Sequence, residues 1–336
     1  MTQRPLIHSC RLPPDLRHTE LNDAGGARVF HHMRLAPFAL LVLLIIVVSD
    51  CANAQVRGVY PTGMNATNAG VTPDSGLTYS NLFIFNSRDE LKGPVGELVD
   101  TGASAVMLDL NTFVWVSRKE VLGGAKLSAT GTLIVSNSSL ASDTKGQLSA
   151  GGGFGDFYLQ PFILGWQMPR VSIRAGYGVL APTGRFNAGA PDNVGSGYWS
   201  HAPWAGVTVF LNDAKTTSLS AFHMYEFHTV QDGTDIHPGQ TANIDYSLTH
   251  TRRIRADTLL QLGLIGYGQW QTTDKTGPTI SAEQSAAHYG VNALGFTSNV
   301  SLPARKVGLG LKYFKEFSSR STFQGYTLQI SGALTF

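Results

Sequence analysis

The chain has 336 residues, and its 25 Lys and Arg residues nearly balance its 23 Asp and Glu residues, giving a formal net charge of +2. This balance, without a basic patch, excludes the electrostatic surface that nucleic-acid-binding proteins need. Charged residues make up only 14% of the chain, about half the usual share in soluble domains, which disfavours an ordinary soluble domain as well.

The beginning of the chain predicts export. Residues 1–32 are polar and patternless, and we expect them to be a mis-assigned start or an extension, with translation beginning at Met33. Residues 33–54 contain a basic start, a short apolar run and an Ala-Asn-Ala exit, the three parts of a cleaved signal peptide. The apolar run is too short to span a membrane as a helix. Asp50 disfavours the alternative of lipid attachment at Cys51.

Cleavage after Ala54 would remove both cysteines, Cys10 and Cys51. An exported protein without disulfides needs another source of stability, which a closed, fully hydrogen-bonded barrel provides. Residues 55–76 form a separate N-terminal segment that is polar and rich in Gly and Asn from Arg57 onward. We expect this segment to fold into a barrel lumen or along its periplasmic mouth, the alternative being a disordered periplasmic leader.

Residues 77–336 contain strand-like stretches with period-two alternation, which is typical of strands whose two faces meet different environments. The polar positions carry Ser, Thr, Asn, Gln and Gly rather than Lys and Glu, which fits a barrel lumen better than the surface of a soluble sandwich. We therefore predict an all-β fold, a transmembrane antiparallel barrel of about twelve strands, with ten to fourteen as the range. The predicted strands are 77–86, 103–117, 130–137, 154–165, 170–180, 198–211, 217–228, 240–250, 258–270, 288–299, 306–316 and 323–336.

The connectors alternate in length, as expected for short periplasmic turns and long external loops. Residues 167–170, 212–216, 251–257 and 301–305 are short connectors, whereas 181–197, 229–239 and 271–287 are long. The alternation breaks at 116–129, which is long, and at 317–321, which is short.

Polar residues at alternate strand positions are the candidates for a substrate path through the lumen. They are Asp109, Asn111, Arg174, Glu226, Asn243, Asp245 and Gln269. Arg174 alternates with an apolar set that includes Ile173 and Tyr177, so a lipid-facing position would be costly for its charge. We expect Arg174 either to pair with a carboxylate such as Asp109 or Asp245, or to face the solute as a fixed positive charge.

The chain ends on an alternating strand whose apolar face includes Leu328, Ile330, Leu334 and Phe336. A terminal aromatic residue in the apolar register resembles the closing strand of bacterial outer-membrane barrels, where it is part of the assembly signal. We therefore assign Phe336 to that role and predict a bacterial outer-membrane location. The edge strand of a soluble sandwich is the alternative for this segment alone.

Several spaced motifs resemble those of one family. They are Gly58–Gly63, Thr72–Tyr79, the Gly-Asp strand Phe154–Trp166, the Pro-Thr-Gly turn Pro182–Phe186, Pro238–Tyr246 and Gly266–Asp274. Together they are similar to the putative MetA-pathway of phenol degradation family, over essentially all of residues 58–336. Val59 departs from the His that is usual in the opening motif.

The resemblance implies an outer-membrane β-barrel that is often encoded beside genes for the catabolism of aromatic compounds and is associated with their transport. We predict a channel or transporter that admits small aromatic or hydrophobic molecules, with no enzyme activity, cofactor or metal. The expected partners are outer-membrane lipid, the barrel assembly machinery and a small-molecule solute, with no nucleic acid. The oligomeric state is expected to be monomer or trimer.

Competing functions rest on isolated motifs. Asp100-Thr101-Gly102, within Leu98–Ser104, resembles the motif that places one catalytic carboxylate of a retroviral-type aspartic protease. Asp-Thr-Gly is also a good turn tripeptide, and no compact protease-sized domain surrounds it. A barrel enzyme acting on lipid would need Ser, His and a carboxylate together; His228 and Glu226 qualify, but sequence alone assigns no Ser partner. A closed structural barrel is the third alternative.

Overall fold

A computed structural model describes residues 57–336. The predicted extension (1–32) and signal peptide (33–54) lie outside the described residues and stay predictions, as does the domain division built on them. No helix among the described residues is long and apolar enough to cross a membrane.

Strands dominate the described chain. A short α-helix, α1 (Ala282–Ala286), and a 3₁₀ turn (Pro303–Arg305) interrupt two of the connections. The strand segments are β1 (Gly76–Lys92), β2 (Leu98–Val121), β3 (Ala125–Ser142), β4 (Gly146–Phe154), β5 (Phe157–Gln167), β6 (Val171–Ala181), β7 (Ser200–Phe210), β8 (Thr217–His228), β9 (Thr241–Arg255), β10 (Thr258–Gln271), β11 (Gly290–Leu302), β12 (Val307–Arg320) and β13 (Thr322–Thr335).

The segments form one closed antiparallel sheet. Neighbours in the chain pair with one another, and β1 also pairs with β13, which closes the ring. Both β4 and β5 pair with β3, β4 along Val135–Ser142 and β5 along Lys126–Thr132. They are therefore two halves of one barrel strand, broken at residues 155–156. The barrel has twelve strands, and the predicted fold class is confirmed.

Period-two alternation decides which side chains enter the barrel. In β13 the outward residues Ile330 and Leu334 are 49% and 40% exposed, whereas the alternating Thr327 and Gln329 are each 1% exposed. Pairing around the ring satisfies the backbone groups of neighbouring strands, so the polar inner face and the apolar outer face can meet water and lipid respectively.

The two ends of the barrel differ in their connections. One end, the short-turn end, carries the start of β1, the end of β13 and the turns 122–124, 168–170, 211–216, 256–257 and 303–306. The other, the long-loop end, carries the long connections 182–199, 229–240 and 272–289, together with the short ones 93–97, 143–145 and Ser321. The predicted long connector at 116–129 is wrong, because β2 and β3 extend far beyond 103–117 and 130–137 and leave only a three-residue turn. The connection between β2 and β3 is therefore short, as the alternation of short and long connectors requires at this end of the barrel.

Candidate functional site

Residues 57–75, named here the plug, lie inside the barrel without forming a strand of their own. Tyr60 is 5% exposed, Ala66 is fully buried and Ala69 is 4% exposed. Ala69 packs with Trp204 and Phe222 of the wall, and Ala66 packs with Tyr267 and Phe314. The plug therefore contacts opposite sides of the lumen at once.

Glu226 of β8 is the first polar anchor of the plug. Its carboxylate is fully buried and accepts the backbone N–H groups of Val59 and Tyr60, each at 2.9 Å. Asn243 donates to the same carboxylate at 2.9 Å, and Gln269 donates to Asn243 at 2.7 Å. A buried carboxylate with several N–H donors is stabilised by charge-assisted hydrogen bonds that a neutral wall would not supply.

Asp245 of β9 is the second anchor. It accepts the Tyr60 hydroxyl at 2.5 Å and the backbone N–H groups of Gly63 and Asn65 at 2.9 and 3.0 Å. Burial, together with the charge of Asp245, raises the pKa of the Tyr60 hydroxyl well above its usual value, so this group stays protonated and donates. Gly63 has φ = +81°, and the ring of Phe314 occupies the place where a side chain would stand.

Strand β12 supplies the third set of anchors. Lys312 donates to the carbonyl oxygens of Gly63 and Met64 at 2.9 and 2.7 Å. Glu316, 1% exposed, pairs with Arg57 at the beginning of the plug, with 2.6 Å between Arg57 Nη1 and Glu316 Oε1. Lys312 and Glu316 are not among the lumen residues predicted from sequence, although they alternate with Leu311 and Tyr313 and so follow the same period-two rule.

A cavity of about 520 Å³ lies between the plug and the wall. It extends from Leu180 and Ser200, near the long-loop end, to Thr251 and Ser301, near the short-turn end. Apolar and small polar side chains alternate along it, so it can hold an uncharged ring as well as a polar substituent. The lining includes Met64, Leu82, Leu110, Thr112, Val114, Thr130, Ile134, Tyr158, Gln160, Arg174, Ala202, Met224, Gln261 and Lys312.

The structure brings four of the predicted lumen residues together. Glu226, Asn243, Asp245 and Gln269 form one hydrogen-bonded group around Tyr60, since Gln269 also donates to its carbonyl oxygen at 3.3 Å. Arg174 lies apart from them and lines the cavity. Whether these residues form a substrate path stays a prediction, but Glu226, Asp245 and Gln269 bond to the plug directly and Asn243 bonds to Glu226 and Gln269.

The inward placement of Asp109 and Asn111 is wrong. Both lie on the outer face of β2 with Phe113, which is 50% exposed, while Leu110 and Thr112 line the cavity. The assumption that polar residues face the lumen fails here because this part of the lumen is itself partly apolar. Polarity therefore did not reveal which face of β2 points inward.

One protein family matches most of this chain. The profile of the family described as "Putative MetA-pathway of phenol degradation" matches residues 88–331. The chain belongs to this family. The resemblance found in the sequence motifs is thereby confirmed.

Solved structures with the same fold are outer-membrane proteins. The COG4313 outer membrane channel from Pseudomonas putida F1 is 14% identical, with a TM-score of 0.65, and the match covers 80% of this chain and 98% of that one. The beta domain of the Bordetella autotransporter BrkA is 10% identical, with a TM-score of 0.53, and the match covers 78% and 100%. No curated protein sequence matches the chain. The closed barrel and these folds identify a protein of the bacterial outer membrane.

The difference between the two barrel ends predicts the orientation in that membrane. Cysteines introduced at Asp232 and Thr279, in long loops, are expected to react with an impermeant thiol reagent on intact cells. Cysteines at Met168 and Ala214, in short turns, should stay unlabelled until the outer membrane is opened. All four positions are exposed, so access to the reagent differs only by the side of the membrane. The reverse labelling pattern would overturn this orientation.

Proposed function

We propose that this family member is an outer-membrane channel or transporter that admits small aromatic or hydrophobic molecules through the cavity beside the plug. The main support for this proposal is the cavity. It is lined by residues of the plug on one side and by wall residues near both ends of the barrel on the other. A cavity of about 520 Å³ would select solutes by size and by contact with its lining rather than pass water and ions freely.

The comparisons support the proposal. The family description refers to phenol degradation, and the similar Pseudomonas putida protein is described as an outer membrane channel. An aromatic ring fits a lining that offers Leu82, Leu110 and Ile134 together with hydroxyl and amide groups.

Filling the cavity should slow uptake. Ala202 lines the cavity and is 2% exposed, whereas Ala205 lies on the outer face of the same strand, β7. We expect Ala202→Phe to lower the initial uptake rate of an aromatic growth substrate several-fold in intact cells, with Ala205→Phe as the matched control that leaves uptake unchanged. Heat-modifiable mobility would show that both variants insert. Equal uptake by the two inserted variants would contradict passage through this cavity.

One contact bears on the enzyme alternative. Ser200 lies 2.8 Å from Nδ1 of His228, and Nε2 of His228 lies 3.5 Å from Glu226, so the structure places a Ser beside the His and the carboxylate. We infer that this group is structural, because Glu226 already holds the backbone of the plug and the Ser contact joins β7 to β8. A fluorophosphonate probe should leave Ser200 unlabelled; stoichiometric labelling lost in Ser200→Ala would favour a hydrolase.

The protease alternative rests on Asp100. The Asp-Thr-Gly residues lie within β2 rather than in a turn, and Asp100 accepts hydrogen bonds from Ser142, from Thr144 and from the backbone of Thr101. These hydrogen bonds connect β2 to the end of β3 at the exposed tip of this strand pair. We therefore infer that Asp100 has a structural role rather than a catalytic one.

A further inference from the structure

Arg174 carries a charge that no carboxylate neutralises. Among the described residues it makes no ion pair, and its Nε is buried without a hydrogen-bond partner. Its guanidinium lies 5.4 Å from the centre of the Trp204 ring, and the side chain lines the cavity. Of the two partners expected from sequence, Asp245 is committed to the plug and Asp109 lies on the outer face.

Other groups near Arg174 share this lack of partners. The Trp204 indole N–H, the Tyr158 hydroxyl and the Thr72 hydroxyl are buried, and none has a hydrogen-bond partner within residues 57–336. Arginine and tryptophan can only donate, and the two hydroxyls can donate as well. Leaving four buried donors without an acceptor lowers the stability of the fold unless a bound ligand supplies an acceptor.

Two glycines of β6 allow two of these groups to lie directly against the strand. The Trp204 ring covers Gly176 and the Tyr158 hydroxyl covers Gly178, where any side chain would collide with them. A strand rise of about 3.3 Å per residue puts Gly178 roughly 13 Å along the strand from Arg174. Arg174 and Tyr158 both line the cavity, so an aromatic acid held by the guanidinium would have its ring in the cavity between these two side chains.

We propose that Arg174 binds the carboxylate of small aromatic acids in the cavity, with the ring lying in the cavity between Arg174 and Tyr158. A planar guanidinium can hold a carboxylate by two parallel hydrogen bonds, which gives it more specificity than a point charge. The inference rests on the proposed channel function and narrows its solutes to anions that carry a ring.

Benzoate and benzyl alcohol, which share a ring and differ in charge, test the site. In intact cells Arg174→Gln is expected to lower benzoate uptake by about tenfold or more while leaving benzyl alcohol uptake unchanged, and Arg174→Lys should recover only part of the benzoate rate. Arg170→Gln is the matched control, because Arg170 lies in an exposed turn and pairs with Asp213. Equal loss for both solutes, or loss for neither, would overturn the site.

A binding measurement separates failure of the site from failure of the channel. Benzoate added to the purified, folded protein should change tryptophan fluorescence in the wild type and in Trp199→Phe, but not in Trp204→Phe or Arg174→Gln. Binding without uptake would retain the anion site and refute the channel. Uptake without any Arg174-dependent binding would refute the site alone, and a chloride-sized anion competing as well as benzoate would refute the requirement for a ring.

A second, independent observation lies on the outside of the barrel. Asn81 of β1 donates to Asp109 at 2.5 Å and to Asn111 at 3.2 Å, and Tyr79 donates to Asn111 at 2.5 Å. Asn111 also donates to Asp109 at 3.2 Å. These four residues, named here the outer polar cluster, are surrounded by outward apolar side chains.

The outer polar cluster lies too deep for lipid headgroups. Phe83 pairs with Asp109 and stands six positions beyond Leu77, whose carbonyl oxygen accepts the N–H of the terminal Phe336. With a strand rise of about 3.4 Å and a tilt of about 40°, Asp109 is about 15 Å from that edge, near the middle of an apolar band about 25 Å tall. A carboxylate at this depth calls for polar protein groups opposite it.

We infer that a second copy of this chain packs against the outer polar cluster. Rotation about an axis along the membrane normal brings the same heights together, so the second N–H of the Asn111 amide in one copy can meet Asp109 of the other. Gly332 pairs with Asn81 and leaves room for close approach.

Cross-linking in native membranes tests the second copy. Phe83→Cys should yield a homodimer with a short bis-maleimide, and Asp109→Leu combined with Asn81→Leu should abolish it. His223→Leu, an outward polar position on β8, is the matched control that keeps the dimer. A monomer in all cases, or a cross-link to a different protein, would overturn the inference.

Discussion

Replacing Asp245 by alanine is expected to raise the single-channel conductance several-fold and to make it fluctuate. The carboxylate holds three donors of the plug, the Tyr60 hydroxyl and the backbone N–H groups of Gly63 and Asn65. Removing it leaves those buried donors unsatisfied, at about 1–3 kcal/mol for each. The plug is then held less tightly in the lumen and leaves it part of the time, so that the space it occupies opens to ions intermittently.

The barrel itself should survive this change, because its strands are held by their own ladders. Asp213→Ala, in an exposed turn at the short-turn end, is the control that should conduct like the wild type. Combining Asp245→Ala with Glu226→Ala should open the lumen further, since Glu226 holds Val59 and Tyr60 independently. Wild-type conductance in correctly inserted double variants would show that the carboxylates do not retain the plug.

Replacing Phe336 by aspartate is expected to leave export intact and to block insertion into the outer membrane. Phe336 is 66% exposed on the apolar face of the closing strand, and its N–H bonds to the carbonyl oxygen of Leu77 at 2.8 Å. A charge at this lipid-facing position costs up to a few kcal/mol, depending on depth. It also removes the aromatic group that we assign to the assembly signal.

Heat-modifiable mobility and membrane fractionation measure this outcome. Phe336→Tyr keeps the ring in the same register and is expected to insert normally, whereas the aspartate variant should collect in the periplasm unfolded or degraded. Deleting Phe336 should behave like the aspartate variant. Normal amounts of heat-modifiable barrel after Phe336→Asp would contradict the assembly role.

Alternation was sufficient to predict the barrel because a strand between lipid and lumen must carry two different faces. It placed Arg174, Glu226 and Asp245 in the interior correctly, since each of their strands has one apolar set and one polar set. It failed for Asp109, where the lumen face of β2 carries Leu110 and the outer face carries polar groups. Period two shows that residues alternate, but the direction of each face must then be judged from its composition, and in β2 the composition misleads because the outer face carries the polar groups.

The plug contacts were beyond sequence reasoning for a different reason. Glu226 and Tyr60 are 166 positions apart in the chain, and Asp245 and Tyr60 are 185 apart. The sequence around a lumen-facing Asp or Glu does not differ according to whether its carboxylate contacts water, a cation or the backbone of a distant segment. The partners of Glu226 and Asp245 are backbone N–H groups, which every non-proline residue has, so no residue pattern marks them.

The most direct test of passage beside the plug is the initial uptake rate of a labelled aromatic growth substrate by intact cells with and without this protein, at a concentration that limits growth. The structure predicts a several-fold slower rate without the protein, restored by the wild type but not by Ala202→Phe. The uptake of a sugar too large for a cavity of about 520 Å³ should be the same in all strains. Equal aromatic uptake with and without the protein would contradict the channel.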